Sequence, residues 1–576
     1  MSRPILQAGS SGLQPSLGLD VPLPVDAYEY GARSGGGTHG LVMTKPHVVD
    51  LILDLASYCT DRPLASMRLL EPACGHGAFL LAIVNRLLAV SLRDGIPVED
   101  LAGAIQAYDI EEEHVQASRT AVIERLGAYQ VPLPLAKELA EGWVQLGDFL
   151  LTNLESTFDV VVGNPPYIRI EQLSASLQSE YRSRFRTLYD RADLYVAFIE
   201  KGLHLLSPKG VLAFICADRW TLNKYGAPLR SMIAREFEMR TYLDLHRASP
   251  FESEVIAYPS IFAIGRERLY EAVLVGTLTT ASGEETLAVR SVLKGAPTAD
   301  FGPPLRKLET WFSGDSPWIL SSTEQLAQLR ALEEQFPLLE ADGQTVVRIG
   351  VATGRDAAFI VPTTADIEAD RMVPLVMRED LQNGGIRDGH RCVLDTSNPG
   401  GGPVDLRAYP RLAAYLEGHR DLLLKRHVAK KNPANWFKTI DRVYPEMVSM
   451  PKLLIPDIAG ANEVVYDPGG YYPHHNLYFI LSTRWDLEVL GGLLSSRVAL
   501  FFVWSYAVKM RGGYLRFQAQ YLRRIRVPMP ESIPERLCNS IRKAYRNRDF
   551  KRLDDLAVEA YGLSSLPDFD FLDLRK

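Results

Sequence analysis

Short runs of β-branched and other apolar residues alternate with amphipathic stretches of helical period between about residues 40 and 270. The predicted strands are Arg68–Leu70, Ala104–Tyr108, Phe158–Val162, Val211–Cys216 and Ser260–Ile264. Helices are predicted between them, for example at Thr44–Tyr58, Ala78–Ala89 and Leu194–Leu206. Strands that alternate with helices form a mainly parallel sheet with helices on both faces. The pattern therefore predicts a doubly wound, Rossmann-like α/β domain.

The chain is too long for one hydrophobic core, because domains usually contain about 100–200 residues and this chain has 576. Pro and Gly cluster at residues 296–318, which predicts a linker. Beyond it the pattern is more irregular, with short β-like segments at Val346–Val351, Lys452–Ile455 and Leu477–Leu481. We predict a flexible N-terminal arm (1–25), the α/β domain (26–295), the linker, a mixed α+β domain (319–545) and a C-terminal helical tail (546–576).

The composition excludes several classes of protein. Apolar residues make up 47% of the chain and charged residues 23%, which is typical of globular proteins rather than disordered or fibrous ones. The five cysteines form no CxxC pair and are scattered, at Cys59, Cys74, Cys216, Cys392 and Cys538. This argues against disulfides or a zinc site and favours a reducing cytoplasm. No signal pattern or long apolar run predicts secretion or a membrane span.

A glycine-containing loop follows the first predicted strand and leads into a predicted helix. It spans Glu71–Phe79 and includes Ala73, Gly75 and Gly77. Glycines with the spacing GxG allow a sharp turn and let the backbone approach a ligand where a Cβ atom would clash. Ordinary strand–helix turns also have this spacing, so the loop alone does not identify a ligand.

Three acidic residues stand at or near the ends of successive strands: Glu71, Asp109 and Asp148. Because the carboxyl ends of parallel strands meet at one edge of a sheet, their carboxylates are expected above a common crevice. There one acid can accept hydrogen bonds from ribose hydroxyls and another from an adenine amine. Since the chain lacks the phosphate-binding pattern GxxxxGK[ST], the sequence favours S-adenosylmethionine over a nucleoside triphosphate.

The segment Asn164-Pro165-Pro166-Tyr167 follows a predicted strand, at the end where α/β enzymes place their chemistry. An aryl amine is a poor nucleophile because its lone pair is delocalised into the ring. The amide oxygen of Asn164 and the carbonyl of Pro165 can bind both of its N–H groups and localise that lone pair. The prolines hold the carbonyl rigidly, and Tyr167 offers a ring for stacking. This predicts methyl transfer to an amino group, with no metal and no covalent intermediate.

In their order and in their residues, these motifs resemble those of the γ-class DNA adenine-N6 methyltransferases, specifically the TaqI-like and Eco57I-like branch of restriction–modification enzymes. The resemblance extends from about residue 40 to residue 530, with the cofactor loop first, Asn-Pro-Pro-Tyr next and a recognition domain last. It rests on His39–Ala56 with Thr44 and Pro46, Glu71–Phe79, Asp109, Gly147–Phe149, Val162–Ile168, Asp193–Lys201, Leu205–Leu222, Val351–Asp356, Pro451–Asp457 and Gly470–Tyr472.

The resemblance implies roles for the cofactor-binding residues. Thr44 and the Glu71–Gly77 loop would hold the methionine end of S-adenosylmethionine. Asp109 would hold the ribose, and Asp148 with Phe149 the adenine. The loop has alanine where the wider methyltransferase pattern has its first glycine, as is common in this branch.

The resemblance also implies that the substrate is an adenine flipped out of double-stranded DNA, at a cost of a few kcal/mol. Phe251 would pack on the face of that base opposite Tyr167. Contacts of residues 319–545, the implied DNA target-recognition domain, would offset the cost. Any restriction endonuclease is expected on another chain, because too few residues precede the α/β domain to form one.

The formal charge of −7 does not favour a nucleic-acid binder, but local clusters matter more than net charge. Seven Lys and Arg residues lie between Arg420 and Arg442, and six lie among aromatic residues between Ser505 and Arg526. Such clusters are often only solvated surface, yet two of them in an acidic protein favour phosphate contacts. The predicted DNA contacts are Lys430, Lys431, Lys509, Arg511, Arg516, Arg523 and Arg524.

Other functions share parts of this pattern. Asn-Pro-Pro-Tyr also occurs in protein glutamine-N5 methyltransferases, because a side-chain amide presents a similar planar nitrogen. Those enzymes, like RNA adenine methyltransferases, lack a large C-terminal domain. A catalytically silent DNA-binding subunit is a further alternative, although it would not need an intact Asn164–Tyr167 segment. We expect a cytoplasmic, DNA-associated enzyme.

Overall fold

In a computed structural model, the described residues are 42–155, 157–253, 258–270, 272–295, 305–309, 311–312, 314–319, 323–459, 463–507 and 515–569. The chain divides into two compact units, residues 1–323 and 324–576. Each unit has its own sheets and its own hydrophobic core. The predicted N-terminal arm at residues 1–25 lies outside the described residues.

Nine strands are described in the first unit. They are β1 (Leu69–Glu71), β2 (Ile105–Asp109), β3 (Val144–Leu146), β4 (Phe158–Gly163), β5 (Leu206–Ala217), β6 (Glu238–Asp244), β7 (Pro259–Gly265), β8 (Val273–Thr277) and β9 (Arg306–Leu308). They form one sheet in the order β3-β2-β1-β4-β5-β7-β6-β8-β9. Strands β1 to β5 are parallel, and β7 runs antiparallel between β5 and β6. The predicted doubly wound α/β domain is confirmed, and each of the five predicted strands lies on an observed one.

The helices described in this unit follow the predicted alternation. They are α1 (Pro46–Leu55), α2 (Ala78–Asp94), α3 (Glu112–Ala128), α4 (Leu133–Trp143), α5 (Ala175–Arg184), α6 (Tyr195–His204), α7 (Arg219–Leu222), α8 (Ala227–Glu236) and α9 (Gly283–Leu293). Helix α1 begins at a proline, whose fixed φ and missing N–H suit the first turn. Helix α2 ends at Gly95, whose left-handed conformation terminates the helix. The three predicted helices are confirmed.

The strand order places a crevice beside β1. The chain moves from β1 outward through β2 to β3, and then returns to the other side of β1 as β4. Loops that follow strands on the two sides of such a switch point diverge and leave room for a ligand at the carboxyl edge of the sheet. The loops after β1, β2, β3 and β4 all open at this edge, because these strands are parallel.

Part of the predicted linker belongs to the first unit. Arg306–Leu308 pairs antiparallel with β8, and the side chains of Trp311 and Trp318 are buried. The rings of Trp318 and Trp220 pack in a T-shaped arrangement, with centroids 5.0 Å apart. The prediction of a linker up to residue 318 is therefore wrong for residues 305–309, 311–312 and 314–318. Pro and Gly mark irregular backbone, but the two tryptophans bury enough apolar surface to fix it against the sheet.

The second unit combines short strands with helices. Its described strands are β10 (Thr345–Ile349), β11 (Ile360–Pro362), β12 (Met372–Val376), β13 (Leu381–Gln382), β14 (Gly385–Ile386), β15 (Arg391–Leu394), β16 (Lys452–Pro456), β17 (Ile458–Ala459), β18 (Val465–Asp467), β19 (Tyr472–Pro473), β20 (Leu477–Ser482) and β21 (Leu515–Arg516). Two four-stranded sheets have the orders β10-β20-β16-β18 and β11-β15-β12-β19. The predicted mixed α+β architecture and its three predicted strands are confirmed.

The helices described from residue 323 onward are α10 (Thr323–Gln335), α11 (Asp356–Phe359), α12 (Pro410–Gly418), α13 (Arg420–Leu424), α14 (His427–Lys431), α15 (Leu487–Leu494), α16 (Arg497–Tyr506), α17 (Ala519–Leu522), α18 (Glu535–Arg546) and α19 (Phe550–Ala560). Helices α18 and α19 pack closely on α15, where a Cβ atom at Gly492 would lie 2.5 Å from Ile541 and 3.2 Å from Leu553. The predicted boundary between residues 545 and 546 thus falls inside α18, and α19 is part of the packed unit.

The described helices were also compared with the length and hydropathy that a membrane span requires. No single one meets both requirements. Helices α15 and α16 reach them only as a pair, which is bent by 60° and whose apolar side chains are buried in the unit.

Candidate active site

The loop between β1 and α2 lies at the crevice and is held there by a hydrogen bond from α3. Gly75 and Gly77 have φ of +52° and +86°, a region that favours glycine. A Cβ atom at Gly77 would lie 3.2 Å from Oγ of Ser118. That same hydroxyl donates a hydrogen bond of 2.8 Å to the carbonyl of Gly75. The two glycines therefore let the loop lie close against α3.

A cavity of about 270 Å³ opens at this edge of the sheet. Nine of the predicted site residues line it: Thr44, Glu71, Ala73, Gly75, Asp109, Asp148, Phe149, Asn164 and Pro166. Four others do not line it: Gly77, Pro165, Tyr167 and Phe251. Gly77 instead precedes the first residue of α2. Pro165 and Tyr167 are neighbours in sequence of lining residues, and the backbone of Phe251 pairs with that of Thr44.

Four buried polar atoms of the cavity-lining residues have no hydrogen-bond partner among the residues that the structure describes. They are Oγ1 of Thr44, Oε2 of Glu71, Nε2 of His114 and Oδ1 of Asn164. A buried polar group without a partner costs about 1–3 kcal/mol. These atoms include both acceptors and donors, as the ammonium and carboxylate groups of an amino acid moiety require. The Thr44, Glu71 and His114 atoms of this set therefore fit the methionine end of S-adenosylmethionine.

Glu71 and Asp109 differ in how their carboxylates are used. Asp109 accepts hydrogen bonds from the N–H groups of Gly75 at 2.8 Å and Glu111 at 3.0 Å, and its Oδ1 lies 3.0 Å from Nδ1 of His114. Asp109 thus holds the glycine loop and is 9% exposed. The Glu71 carboxyl is fully buried, and burial together with the nearby Asp109 raises its pKa well above the ordinary value.

Asp148 and Phe149 form a turn after β3. The carboxylate of Asp148 accepts from the N–H of Leu150 at 2.8 Å and from the hydroxyl of Tyr181 at 2.6 Å. The ring of Phe149 is buried and packs on Phe198, with centroids 5.3 Å apart. All five residues line the cavity, so this turn supplies a carboxylate and an aromatic wall side by side.

The Asn164–Tyr167 segment follows β4 directly. Nδ2 of Asn164 donates to the carbonyl of Val42 at 3.2 Å, and its Oδ1 has no partner among the described residues. The hydroxyl of Tyr167 is also buried without one, and burial raises its pKa well above the ordinary value. The rings of Tyr167 and Tyr195 pack in a T-shaped arrangement, with centroids 6.3 Å apart. The N–H of Leu194 donates to the carbonyl of Ile168 at 2.8 Å. Helix α6 thus supports the segment.

Phe251 lies next to Thr44, because the backbones of these two residues form an isolated β-bridge. The N–H of Lys45 donates to the carbonyl of Pro250 at 3.0 Å, and the N–H of Glu252 donates to the carbonyl of Met43 at 2.9 Å. The side chain of Phe251 is 5% exposed and belongs to the hydrophobic core. The structure therefore brings Phe251 to the site through its backbone, with its ring inside the core.

Several cavity-lining residues were not among the predicted site residues, and Ile110, Phe198 and Tyr181 are examples. Ile110 is 61% exposed although it is large and apolar, and its position directly after a strand-end acid could have indicated it. Phe198 lies within the Asp193–Lys201 run but had no assigned role. Tyr181 comes from α5 (Ala175–Arg184), and its sequence carries no signal that would connect it with Asp148. Ile110, Phe198 and Tyr181 all line the cavity.

The structure changes the list of candidate DNA contacts in the second unit. Arg516 is buried and forms an ion pair with Asp457, and Arg523 pairs with Glu340 at 2.9 Å. Both were predicted to contact phosphates. The burial of Arg516 contradicts that prediction, whereas for Arg523, whose side chain is 28% exposed, it stays a prediction. Arg524 lies over the ring of Tyr506, 4.5 Å from its centroid.

Lys430 and Lys431 remain candidates for phosphate contact. Both are exposed at the end of α14, and neither forms an ion pair within the described parts of the chain. The nearby Arg426, by contrast, donates to the carbonyls of Thr353, Trp436 and Lys438, and its burial lowers its pKa to about 10. The predicted contacts Lys509 and Arg511 lie outside the described residues.

One group of three potential metal ligands occurs in the described residues of the second unit: Asp356, His474 and His475. Their ligand atoms lie within 4.8 Å of one another. Oδ1 of Asp356 accepts from the Thr353 hydroxyl at 2.5 Å, and Oδ2 lies 3.2 Å from Nε2 of His474. Contacts within the unit therefore engage both carboxylate oxygens.

Comparison with protein families gives two matches. The Eco57I restriction-modification methylase family matches residues 103–251, which run from β2 to Phe251. The TaqI-like C-terminal specificity domain matches residues 422–527, in the second unit. The first match covers the Asn164–Tyr167 segment, and the second covers Lys430 and Lys431.

Similar proteins cover almost the whole chain. The Type II methyltransferase M.PaeR7I of Pseudomonas aeruginosa is 45% identical over 94% of this chain and 95% of its own length. The Type II methyltransferase M.BstVI of Geobacillus stearothermophilus is 42% identical over 91% of this chain and 96% of its own. Among solved structures, the Type IIL restriction–modification enzyme MmeI in complex with DNA has the same fold, with a TM-score of 0.62, 14% identity, and coverage of 92% of this chain and 75% of that one.

The two Type II methyltransferases are similar to this chain over more than 90% of its length, and MmeI shares its fold. S-adenosylmethionine is the methyl donor of this group of enzymes, and the unpartnered atoms of Thr44, Glu71 and His114 fit its methionine end. The chain belongs to the Type II restriction–modification methyltransferases with an Eco57I-like catalytic domain and a TaqI-like C-terminal specificity domain.

Proposed function

We propose that the protein transfers the methyl group of S-adenosylmethionine to N6 of an adenine that is flipped out of double-stranded DNA at a specific site. The observation that carries the proposal is the Asn164–Tyr167 segment at the end of β4, with Oδ1 of Asn164 buried, unpartnered among the described residues and at the edge of the cavity. Membership of the Type II methyltransferases supports DNA as the substrate. A relative with 23% identity bears the name adenine-specific methyltransferase PglX.

The cavity residues divide between the two ends of the cofactor. Thr44 and Glu71, whose polar atoms have no partner in the described structure, would bind the methionine carboxylate and ammonium groups together with the backbone of the glycine loop. Asp109, which holds that loop, would accept from the ribose. Asp148 would accept from the adenine amine, with Phe149 beside the ring.

The chain's own residues would prepare the target amine. When bound, S-adenosylmethionine supplies an electrophilic methyl group on a sulfonium. Oδ1 of Asn164 would accept one N6–H group, and the carbonyl of Pro165 the other, which no described N–H or O–H group occupies. Acceptors that are already in place need little reorganisation as positive charge develops on the nitrogen. Pro166 fixes the backbone after that carbonyl.

The target base would be sandwiched by aromatic side chains. Tyr167, which packs against Tyr195, would stack on one face of the base. Phe251 would approach the other face after leaving its present position in the core. Flipping costs a few kcal/mol, which contacts of the second unit with the surrounding duplex would offset. Lys430 and Lys431 are its exposed candidates for phosphate contact. In the cell the protein would act in the cytoplasm, as the modification enzyme of a restriction–modification or defence system.

Label transfer tests the substrate class. Purified protein is incubated with S-adenosylmethionine carrying a tritiated methyl group and a mixture of duplex DNA, RNA and bacterial protein. We expect precipitable label that deoxyribonuclease releases, and loss of that label with Asn164→Ala. Label released only by ribonuclease or by protease would contradict the proposal, in favour of an RNA or a protein amide as substrate.

A further inference from the structure

Lys201 is a half-buried lysine at the end of α6 (Tyr195–His204) that does not line the cavity. Its ammonium group donates to the main-chain carbonyls of Phe149, Leu150 and Thr152, at 3.4 Å for Leu150 and 2.5 Å for Thr152. It also lies over the Phe149 ring, 4.6 Å from the centroid. Three N–H donors of one ammonium thus meet three carbonyls of one turn.

That turn is the one that carries Asp148. On its cavity side, Asp148, Phe149 and Leu150 form the lining, and the Asp148 carboxylate accepts from the N–H of Leu150. On its other side, the carbonyls of the same turn converge on Lys201. Successive carbonyls that point to one place repel each other unless a cation or donors lie between them. Lys201 supplies both.

We propose that Lys201 is a positioning residue for S-adenosylmethionine: by binding the three carbonyls it fixes the turn so that Asp148 and Phe149 face the adenine end of the cofactor. The inference rests on the proposed role of these two residues in the cofactor pocket. Lysine suits the place because a compact ammonium with three donors can address three converging carbonyls.

The charges around Lys201 predict how this contact depends on pH. Burial lowers the pKa of Lys201 to about 8, with Asp148 opposing this shift and Arg184 adding to it. The ammonium therefore loses its proton, and with it one of its three donors and its charge, within an accessible pH range. Binding of the adenine end should weaken as the pH rises through about 8, because the turn is then held less firmly.

Cofactor binding in the absence of DNA tests the proposal. We expect Lys201→Met to raise the dissociation constant of S-adenosylhomocysteine about tenfold, as loss of hydrogen bonds to a charged group does. The dissociation constant for duplex DNA should not change. Lys209→Met is the matched control, because Lys209 is an exposed lysine on β5 (Leu206–Ala217), and it should bind like the parent. Because DNA and the modified base play no part in the assay, its result is independent of which base is methylated.

A second measurement rests mainly on the parent protein. The affinity of the parent protein for 5′-methylthioadenosine, which has the adenine but no ammonium group of its own, is measured across the same pH range. We expect weaker binding above about pH 8, and a flat profile for Lys201→Met if that variant folds. Binding of S-adenosylhomocysteine by folded Lys201→Met within twofold of the parent, or a flat profile for the parent, would overturn the proposal.

Discussion

The side-chain amide of Asn164 donates a hydrogen bond from Nδ2 to the main-chain carbonyl of Val42, at 3.2 Å. Val42 precedes α1 (Pro46–Leu55) and lines the same cavity. Because the NH2 group is engaged there, the amide oxygen is left without a partner among the described residues. A residue far away in sequence thus decides which atom of Asn164 is free to accept a hydrogen bond.

Asn164→Ala should reduce kcat by about 10²–10³, as loss of one preorganised hydrogen-bond partner of a transition state does. The dissociation constant of S-adenosylhomocysteine should change little, because the transferred methyl group and the target amine are absent from that complex. Steady-state methylation kinetics and calorimetry measure the two quantities. Asn539→Ala, at an exposed position of α18 (Glu535–Arg546), is the matched control. A near-normal kcat for Asn164→Ala would show that Asn164 does not act as the acceptor.

Asp148→Ala should weaken the binding of S-adenosylhomocysteine and leave DNA binding intact. The variant removes a carboxylate that faces the cavity and accepts from the Tyr181 hydroxyl at 2.6 Å. Tyr181→Phe should have the same effect to a smaller degree, because the carboxylate remains but loses one donor that orients it. Calorimetry with each variant gives the comparison. Equal affinity in Asp148→Ala and the parent would make Asp148 only a turn residue.

The raised pKa of Glu71 predicts how stability and cofactor affinity change with pH. Burial and Asp109 raise its pKa in the cofactor-free protein, so the folded chain binds this proton more tightly than the unfolded chain. The stability contributed by the protonated form is therefore lost as the pH rises from the unfolded to the folded pKa. The cofactor's ammonium group favours the carboxylate, so affinity for S-adenosylhomocysteine should rise over the same range.

Thermal melting and calorimetry, carried out as the pH rises from about 4, the ordinary pKa of a glutamate, measure these two trends for Glu71. Glu71→Gln has no proton to lose, so both curves should become flatter than those of the parent. If Glu71→Gln and the parent show the same pH dependence of cofactor affinity, another group is responsible and Glu71 does not contact the ammonium group.

Exposed lysines, rather than paired arginines, should govern the salt dependence of DNA binding. Each phosphate neutralised by the protein contributes about −0.9 to the slope of log K against log salt. The double substitution of Lys430 and Lys431 by Gln should flatten that slope by up to about two units and leave the methylated sequence unchanged. Arg523→Gln, by contrast, breaks the pair with Glu340 and should lower the melting temperature with no change in slope. A flatter slope for Arg523→Gln, with an unchanged slope for the lysine variant, would instead place Arg523 among the phosphate contacts.

The catalytic unit could be predicted from the sequence to the extent that its signals are local. The strand Phe158–Gly163 is a buried apolar run. The Asn164–Tyr167 segment after it is compatible with few functions at that place in an α/β sheet. Strand β6 (Glu238–Asp244) was missed because charged residues interrupt its apolar pattern, and β3 (Val144–Leu146) because three residues are too few to show a period. Long-range pairing, which sequence patterns do not reveal, makes both of them strands.

The sequence could not show how the arginines of the second unit are paired, for one physical reason. Sequence shows that Arg516 and Arg523 are positive, but not that Asp457 and Glu340 lie beside them. An acid of the same unit neutralises the charge of an arginine that pairs with it. Positive residues that cluster along the chain therefore need not form a positive cluster on the surface. The same limit applies to Tyr181, whose contact with Asp148 depends on how α5 (Ala175–Arg184) packs.

The identity of the methylated nucleoside tests the central claim most directly. Duplex DNA is incubated with the purified protein and S-adenosylmethionine carrying an isotopically labelled methyl group, then digested to nucleosides and analysed by liquid chromatography and mass spectrometry beside standards. We predict that the label appears as N6-methyl-2′-deoxyadenosine and is lost with Asn164→Ala. Label in N4-methyl-2′-deoxycytidine or 5-methyl-2′-deoxycytidine, with none in adenine, would contradict the account.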